Sequence, residues 1–205
     1  MRVIEPSFEI IGAVDSAAIM RELELIGRVC YKSEDRITGD SANRFLASIL
    51  KRGHESVIEH RAITVKLICD RGVSHELVRH RIASFSQEST RYCNYSGDKF
   101  GNELTFVKPF FWADDLEKYA LWLEAMRQTE ANYLKLLDMG ATPEEARAVL
   151  PNSLKTEIVM TMNLREWRHF FRLRAAPQAH PQMREIVTPL LAYMKEILPV
   201  IFADL

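Results

Sequence analysis

From Arg79 to Tyr92 the chain reads RHRIASFSQESTRY, its densest polar run. Here Arg79, His80, Arg81 and Arg91 stand around Ser84, Ser86, Gln87 and Ser89. Arginine presents a rigid fork of N–H donors that matches a phosphate bidentately. Serine and glutamine add neutral donors and acceptors suited to a sugar or a base edge. The chemistry this points to is a grip on a small phosphorylated molecule. The plainer reading is a solvated basic turn with surface ion pairs, and the residues alone leave both open.

A second cluster, NLREWRHFFRLR, spans residues 163–174. On a straight helix Arg165, His169 and Arg172 share one face, with Arg168 at its edge, while Trp167, Phe170, Phe171 and Arg174 line the other. An amphipathic helix with a charged outer face and an aromatic inner one explains most of this pattern. Arg174 does not fit it, because a cation continuing the apolar stripe needs a buried partner.

Other chemistries lack their residues. None of the eight glycines forms a GxG pair, so side chains must hold any phosphate that binds. His75-Glu76-Leu77-Val78 opens like a zinc-protease helix, but the fifth position is Arg79, and His80 lies off the face a metal requires. His54-Glu55 and His60 fail in the same way, and no metal is expected. No GxSxG occurs and no cysteine adjoins a histidine, so nothing specifies covalent catalysis.

The elements that must position these residues follow from periodicity and breakers. Residues 2–5 and 8–14 read as short strands interrupted by Pro6. A helix runs from an Asp15 cap through Tyr31, and another from Ser41 to Arg52 before Gly53. Residues 62–69 alternate as a strand with one buried face, carrying Ile63, Val65, Leu67 and Cys69. Gly72 to Ile82 reads as a short helix, 83–103 as a loop, and 104–107 as a strand. A long helix covers 113–138, closed by Gly140, and Thr142-Pro143-Glu144-Glu145 is a capping box that starts a helix ended by Pro151. Thr156–Asn163 alternates with Ile158, Met160 and Met162 inward, and helices follow at 165–174 and 181–197. Helices mixed with strands buried on one face predict an α+β fold, an antiparallel sheet flanked by helices, in a single domain over 1–205.

With 27 basic and 28 acidic residues among 205, the chain lacks the basic excess of a duplex-binding protein, and no nucleic-acid partner is expected. Cys30, Cys69 and Cys93 are odd in number and far apart, which fits a reducing compartment. The first residues carry acids early, and no stretch approaches the ~20 apolar residues of a membrane span. The expectation is a soluble, cytoplasmic protein without a membrane partner.

The segment RHRIASFSQESTRY resembles the signature of the flavin-dependent thymidylate synthases: Arg79-His80-Arg81, seven intervening residues, Ser89, one residue, Arg91. RGHESVIEH (52–60), EARAVLP (145–151), the Asn163–Arg174 cluster, and Gln182 with Glu185 match that family in order and spacing, so the likeness covers about residues 45–190. It implies reductive methylation of deoxyuridylate (dUMP) to thymidylate (dTMP). The cofactor would be FAD, the reductant NADPH and the carbon donor methylenetetrahydrofolate. It further implies a homotetramer whose active sites are shared between subunits.

Carried across, Arg79, His80 and Arg81 would hold FAD, Asn163, Leu164, Arg165 and His169 would reach it from another subunit, and His54, Ser56 and Gln87 would lie close. The nucleotide would lie against Glu76, Leu77, Val78 and Arg79 and the loop Gln87, Glu88, Ser89, Thr90 and Arg91, with Arg147 and Arg174 closing on it. Arg174 would be the catalytic residue, stabilising charge on the uracil ring. Gln87 stands where the family often has Glu, Glu88 where it has an apolar residue, and His169 where Asn is common. The alternative function is a non-catalytic nucleotide-phosphate-binding module. An RNA binder is disfavoured by charge and by the lack of an aromatic stacking platform.

Overall fold

The alternation of residues 62–69 and 156–163 is realised as two nine-residue strands. In a computed structural model describing residues 1–97 and 100–205, the strands are β1 (Arg2–Ile4), β2 (Ser7–Ile11), β3 (Ala62–Asp70), β4 (Ser84–Gln87), β5 (Thr105–Val107) and β6 (Lys155–Asn163). The helices are α1 (Ser16–Val29), α2 (Ser41–Lys51), α3 (Arg71–Leu77), α4 (Leu116–Asp138), α5 (Pro143–Ala146), α6 (Leu164–Arg174), α7 (Pro181–Ile197) and α8 (Pro199–Phe202). Short 3-10 turns cover Glu34–Arg36, Glu55–His60, Phe110–Trp112 and Arg147–Val149. The architecture is α+β, as the sequence predicts.

One sheet has the order β2-β3-β6-β4, and β1 pairs with β5. Thr64 meets Thr161 through their hydroxyls at 2.9 Å, and Lys66 meets Glu157 at 2.5 Å. Partners that descend along β6 as β3 ascends mark the two strands as antiparallel. The β1–β5 pair departs from the expected pattern: it is parallel, with Val3 opposite Phe106.

The chain forms two compact units, and β3 and β6 each pass from one to the other. The first comprises Met1–Phe8, Lys66–Arg79 and Phe85–Val159; the second comprises Glu9–Val65, His80–Ser84 and Met160–Leu205. In the first, α4 supplies Trp122, Met126 and Tyr133 to a core with Tyr95, Leu104, Phe106, Ala146 and Leu154. In the second, Trp167 stacks on Phe171, which meets Phe202 edge-on, and the Trp167 indole N–H donates to the Ile63 carbonyl at 3.1 Å. Each such buried aromatic contributes on the order of 1.5–3 kcal/mol relative to an exposed one. Gly27 lets α1 approach α2, since a Cβ there would lie 2.7 Å from the Phe45 ring. Glu24 of α1, 1% exposed, accepts from Arg28 at 2.7 Å and from the Ser41 hydroxyl of α2 at 2.8 Å.

Capping follows the sequence closely. Asp15 accepts from the Ala18 N–H, Asp70 from the Val73 N–H, and Thr142 with Glu145 completes the expected capping box. Gly53 and Gly140 take the left-handed φ that ends their helices, at 77° and 91°.

Several boundaries differ from expectation: α4 begins at Leu116 instead of 113, and the helix expected to run to Pro151 is α-helical only over Pro143–Ala146 before a 3-10 turn. The strand expected at 8–14 stops at Ile11, because Gly12 turns the backbone to φ 88°. The helix expected to reach Ile82 stops at Leu77, where the Val78 N–H bonds the Ser74 carbonyl and the Arg79 N–H bonds that of Glu76. Within the expected 83–103 loop lies β4, whose Ser84 and Ser86 are exposed and whose Phe85 and Gln87 are half-buried. It is an edge strand without an apolar alternation to reveal it. Asp98 and Lys99 of that loop lie outside the described residues.

Candidate active site

In the first unit, α3 and the segment after β4 carry the candidates for the nucleotide. Val78 and Arg79 are exposed and Glu76 is half-buried, whereas the Leu77 side chain is completely buried in the core. Arg79 forms no ion pair among the described residues. Gln87 turns inward, donating to Ser74 Oγ at 2.9 Å and Thr156 Oγ1 at 3.1 Å.

Glu88 is also turned into the fold. Its carboxylate accepts from the Tyr95 hydroxyl at 2.8 Å, the Lys155 ammonium at 3.0 Å and the Glu157 N–H at 3.2 Å. Burial opposes the Lys155 charge, yet the carboxylates of Glu157 and Glu88 outweigh it and hold that ammonium above its ordinary pKa. These contacts fix the start of the loop that carries Ser89, Thr90 and Arg91.

There the structure gathers two guanidiniums and two hydroxyls. Ser89 Oγ accepts from the Arg91 N–H at 3.3 Å, and Arg147 reaches the buried Thr90 hydroxyl at 3.5 Å. Arg147 comes from the 3-10 turn after α5, so the Thr142 capping box sets its position. Arg91 is held by Glu144 of α5 at 3.1 Å. Exposed arginines beside Ser and Thr hydroxyls can seat a phosphate by charge-assisted bonds. Ser89 has no bonded carboxylate or imidazole among the described residues, so it lacks the base a serine nucleophile needs. Cys69 is 1% exposed, and burial, with Asp70 beside it, pushes its thiol far up, which leaves it inert.

In the second unit, α6 organises the other cluster. Asn163 caps it by accepting from the Glu166 N–H at 2.8 Å, and Leu164 is completely buried with its N–H on the Arg61 carbonyl. Arg165, His169 and Arg172 are exposed along one face, as the helical spacing predicts. They line an open groove of about 530 Å³ together with Asn163, Glu166, Ile82 and two residues of the 3-10 turn, Glu55 and Glu59. Glu55 lies within reach of three guanidiniums: Arg168 at 3.3 Å, Arg172 at 3.5 Å and Arg165 at 3.6 Å. His54 and Ser56 flank it, both exposed, His54 sharing a 2.8 Å hydrogen bond with the Tyr31 hydroxyl. Arg81 is exposed without an ion pair among the described residues. The groove's donors suit an anionic group with hydrogen-bonding edges, so they fit a dinucleotide cofactor held by side chains instead of a glycine loop.

Two residues depart from their expected settings. Arg168, placed at the helix edge by spacing, is 3% exposed; it forms a fork–fork pair with Asp204 at 2.6 and 2.7 Å and also bonds the Ile201 carbonyl. His80 is 5% exposed and lies edge-on to Phe170, 4.9 Å between centroids. Its Nε2 accepts from Arg174 Nε at 3.0 Å, while Nδ1 faces Glu166 Oε1 at 3.5 Å. Burial first, then Arg174 and His169, lowers the imidazole pKa to about 4, so the ring is neutral at pH 7. Burial also raises the Glu166 carboxyl above its ordinary value. His80, Glu166 and His169 bring three potential metal-ligand atoms within 4.8 Å of one another. The Arg174 cation on the same imidazole opposes a second positive charge there.

Glu55, Glu166 and Arg168 were not among the sequence candidates. Glu55 carries a signal in His54-Glu55-Ser56, but Arg168 finds its partner 36 residues away, beyond any local pattern.

Against known proteins, residues 15–200 match the family model described as thymidylate synthase complementing protein. A flavin-dependent thymidylate synthase of Pyrococcus furiosus is 40% identical over 169 residues, 82% of this chain and 68% of that protein. One from Geobacter sulfurreducens is 37% identical over 187 residues, 88% of this chain and 79% of that protein. Among solved structures, a UMP/dUMP methylase from Streptomyces cacaoi bound with 5-Br dUMP superposes with a TM-score of 0.78 at 26% identity, covering 99% of this chain and 96% of its own.

Proposed function

The chain belongs to the family of the flavin-dependent thymidylate synthases, and from that premise we propose that it converts dUMP to dTMP by reductive methylation. Methylenetetrahydrofolate gives the one-carbon unit and NADPH the reducing equivalents. When bound, FAD supplies the hydride chemistry that completes the methyl group. The observation that carries the reading is a pair of anion seats, one in each unit. Arg91 and Arg147 stand with Ser89 and Thr90, and Arg165 and Arg172 line one groove with Asn163. Two phosphorylated ligands, a nucleotide and a dinucleotide, account for two such seats.

In this reading dUMP lies against the exposed end of α3 at Val78 and Arg79 and against the loop Gln87–Arg91, with Arg147 on its phosphate. Leu77 and Glu88 support those contacts from inside, since their side chains are committed to the fold. FAD is held by Arg79 and Arg81 of one subunit, with His80 and Gln87 behind them, and is reached from another subunit by Asn163, Leu164, Arg165 and His169, with His54 and Ser56 nearby. Active sites are completed between subunits of a homotetramer, residues 1–205 act as one functional domain, and the enzyme works in the cytoplasm. Among the described residues, no helix is long and apolar enough to cross a membrane.

Arg174 activates the uracil by electrostatics: its guanidinium stabilises negative charge as carbon 5 becomes nucleophilic. A preorganised cation of this kind supplies on the order of 3–4 kcal/mol of transition-state stabilisation. Arg174→Ala should therefore lower turnover ~100-fold or more while FAD stays bound. Retained turnover in that variant would show that the charge is stabilised elsewhere.

A further inference from the structure

His80 is the middle residue of an Arg-His-Arg run, yet it alone of the three points inward: Arg79 and Arg81 are exposed, while His80 is 5% exposed. It occupies a slot on α6 built by Phe170 on one side and Glu166 on another, with His169 6.1 Å away ring to ring. Among the described residues its closest polar contact is the 3.0 Å bond with Arg174 Nε. An arginine Nε–H donates and never accepts, so that bond requires a bare lone pair on His80 Nε2. The ring proton then sits on Nδ1, facing the Glu166 carboxylate.

We propose that His80 is a positioning residue for the reaction: its Nε2 lone pair clamps the Nε–H edge of Arg174 and so fixes the direction in which the guanidinium presents its terminal nitrogens. The proposal rests on the reading of Arg174 as the group that stabilises charge on the uracil. Arginine has a long, flexible stem, and a bond at Nε narrows the directions in which its planar guanidinium can point. Two further features keep the clamp in its accepting state. The buried ring stays neutral, with its pKa at about 4, and the groups that face it are one acid, Glu166, one histidine, His169, and Arg174 itself. A protonated His80 would place a donor against a donor and a cation against a cation. Glu166 favours the tautomer that leaves Nε2 free to accept.

The test compares His80→Asn with His80→Gln in the FAD-loaded enzyme. A glutamine amide oxygen falls near the position of Nε2, whereas the asparagine side chain reaches only to Nδ1. His80→Asn is expected to lower kcat ~10-fold or more and change the Kd for dUMP, measured by calorimetry, less than ~3-fold; Gln should restore most of the lost kcat. In an Arg174→Ala background the Asn substitution should cost little more, because the interaction it removes is already gone. On the unmodified protein, the imidazole ¹⁵N spectrum at pH 7 should show a neutral His80 with its proton on Nδ1.

Equal losses in Asn and Gln, or an Asn loss repeated in full without Arg174, would overturn the clamp. So would an Nε2–H tautomer or a charged ring, a readout that holds even if a variant fails to fold. Native turnover in Arg174→Ala would overturn the underlying reading of Arg174 and the clamp with it. A disabled Arg174→Ala with indistinguishable Asn and Gln variants would overturn the clamp alone.

Discussion

Replacing Glu88 by glutamine separates a structural carboxylate from one that touches substrate. Both Oε atoms are occupied by this chain's own donors, the Tyr95 hydroxyl at 2.8 Å and the Lys155 ammonium at 3.0 Å. The side chains of Glu88 and Lys155 are only 11% and 18% exposed, so water screens the pair weakly. Losing one partner of a fully buried pair costs about 3–5 kcal/mol. Here Lys155 keeps Glu157 at 2.6 Å, and the amide can still accept from Tyr95. What disappears is the charge-assisted bond from Lys155, worth about 1.5–3 kcal/mol, together with the longer one from the Glu157 N–H to the same oxygen. For a chain of this length each kcal/mol moves the thermal midpoint by about 2–4 °C, so Glu88→Gln should melt roughly 5–10 °C lower.

The assay is thermal and urea unfolding at matched protein and FAD concentrations, because ligand and self-association shift the midpoint. KM for dUMP, measured well below the melting range, should stay within about twofold of native, as expected for a group that does not bind substrate. The sign of the pH effect follows from Lys155. Its folded pKa is raised, so the stability it brings is complete below the unfolded value near 10.4 and is lost as pH rises through the folded one. In Glu88→Gln that alkaline loss should shrink. An unchanged melting point with a large rise in KM would refute the reasoning and return Glu88 to the substrate.

Asp204→Asn should loosen the C-terminal end of the chain. The Arg168 side chain is 4% exposed, but Asp204 is 60% exposed, so water replaces part of the lost contact and about 1–2 kcal/mol is expected. The hydrogen bonds from Arg168 hold Asp204 below its ordinary pKa, so this stability is present above about pH 4 and fades as pH falls through the lowered value. Urea midpoints at pH 7 and pH 3.5 should therefore differ less in the variant than in the native chain. Thr142→Ala removes the hydroxyl half of the α5 capping box, leaving the bond from the residue-142 N–H to the Glu145 carboxylate, and should cost ~1 kcal/mol. Because Arg147 is carried on the turn that follows, KM for dUMP should rise more in Thr142→Ala than in Glu88→Gln, and equal values would break that link.

The sequence revealed the parts of this fold that local physics controls. Ile63, Val65, Leu67 and Cys69 alternate because one face of β3 is buried, and the Thr142-Pro143-Glu144-Glu145 signal forms because its bonds lie within four residues. It also showed that Arg174 must find a partner, though not which one. Settings that depend on distant residues stayed hidden. Arg168 looks like a helix-edge cation until Asp204 and the Ile201 carbonyl arrive from the end of the chain. His80 looks like one of three equivalent ligands until the Phe170 and Arg174 side chains enclose it. The β4 strand was invisible because an edge strand reading SFSQ has no apolar face to announce it.

The most direct test of the account is a visible absorption spectrum of the purified protein. It would be taken before and after adding FAD, and again after adding NADPH with dUMP. A flavin-dependent thymidylate synthase should show an oxidised-flavin band that NADPH bleaches, with dTMP appearing once methylenetetrahydrofolate is supplied. A colourless protein that leaves added FAD unbound would contradict this reading and favour a non-catalytic module that binds nucleotide phosphates.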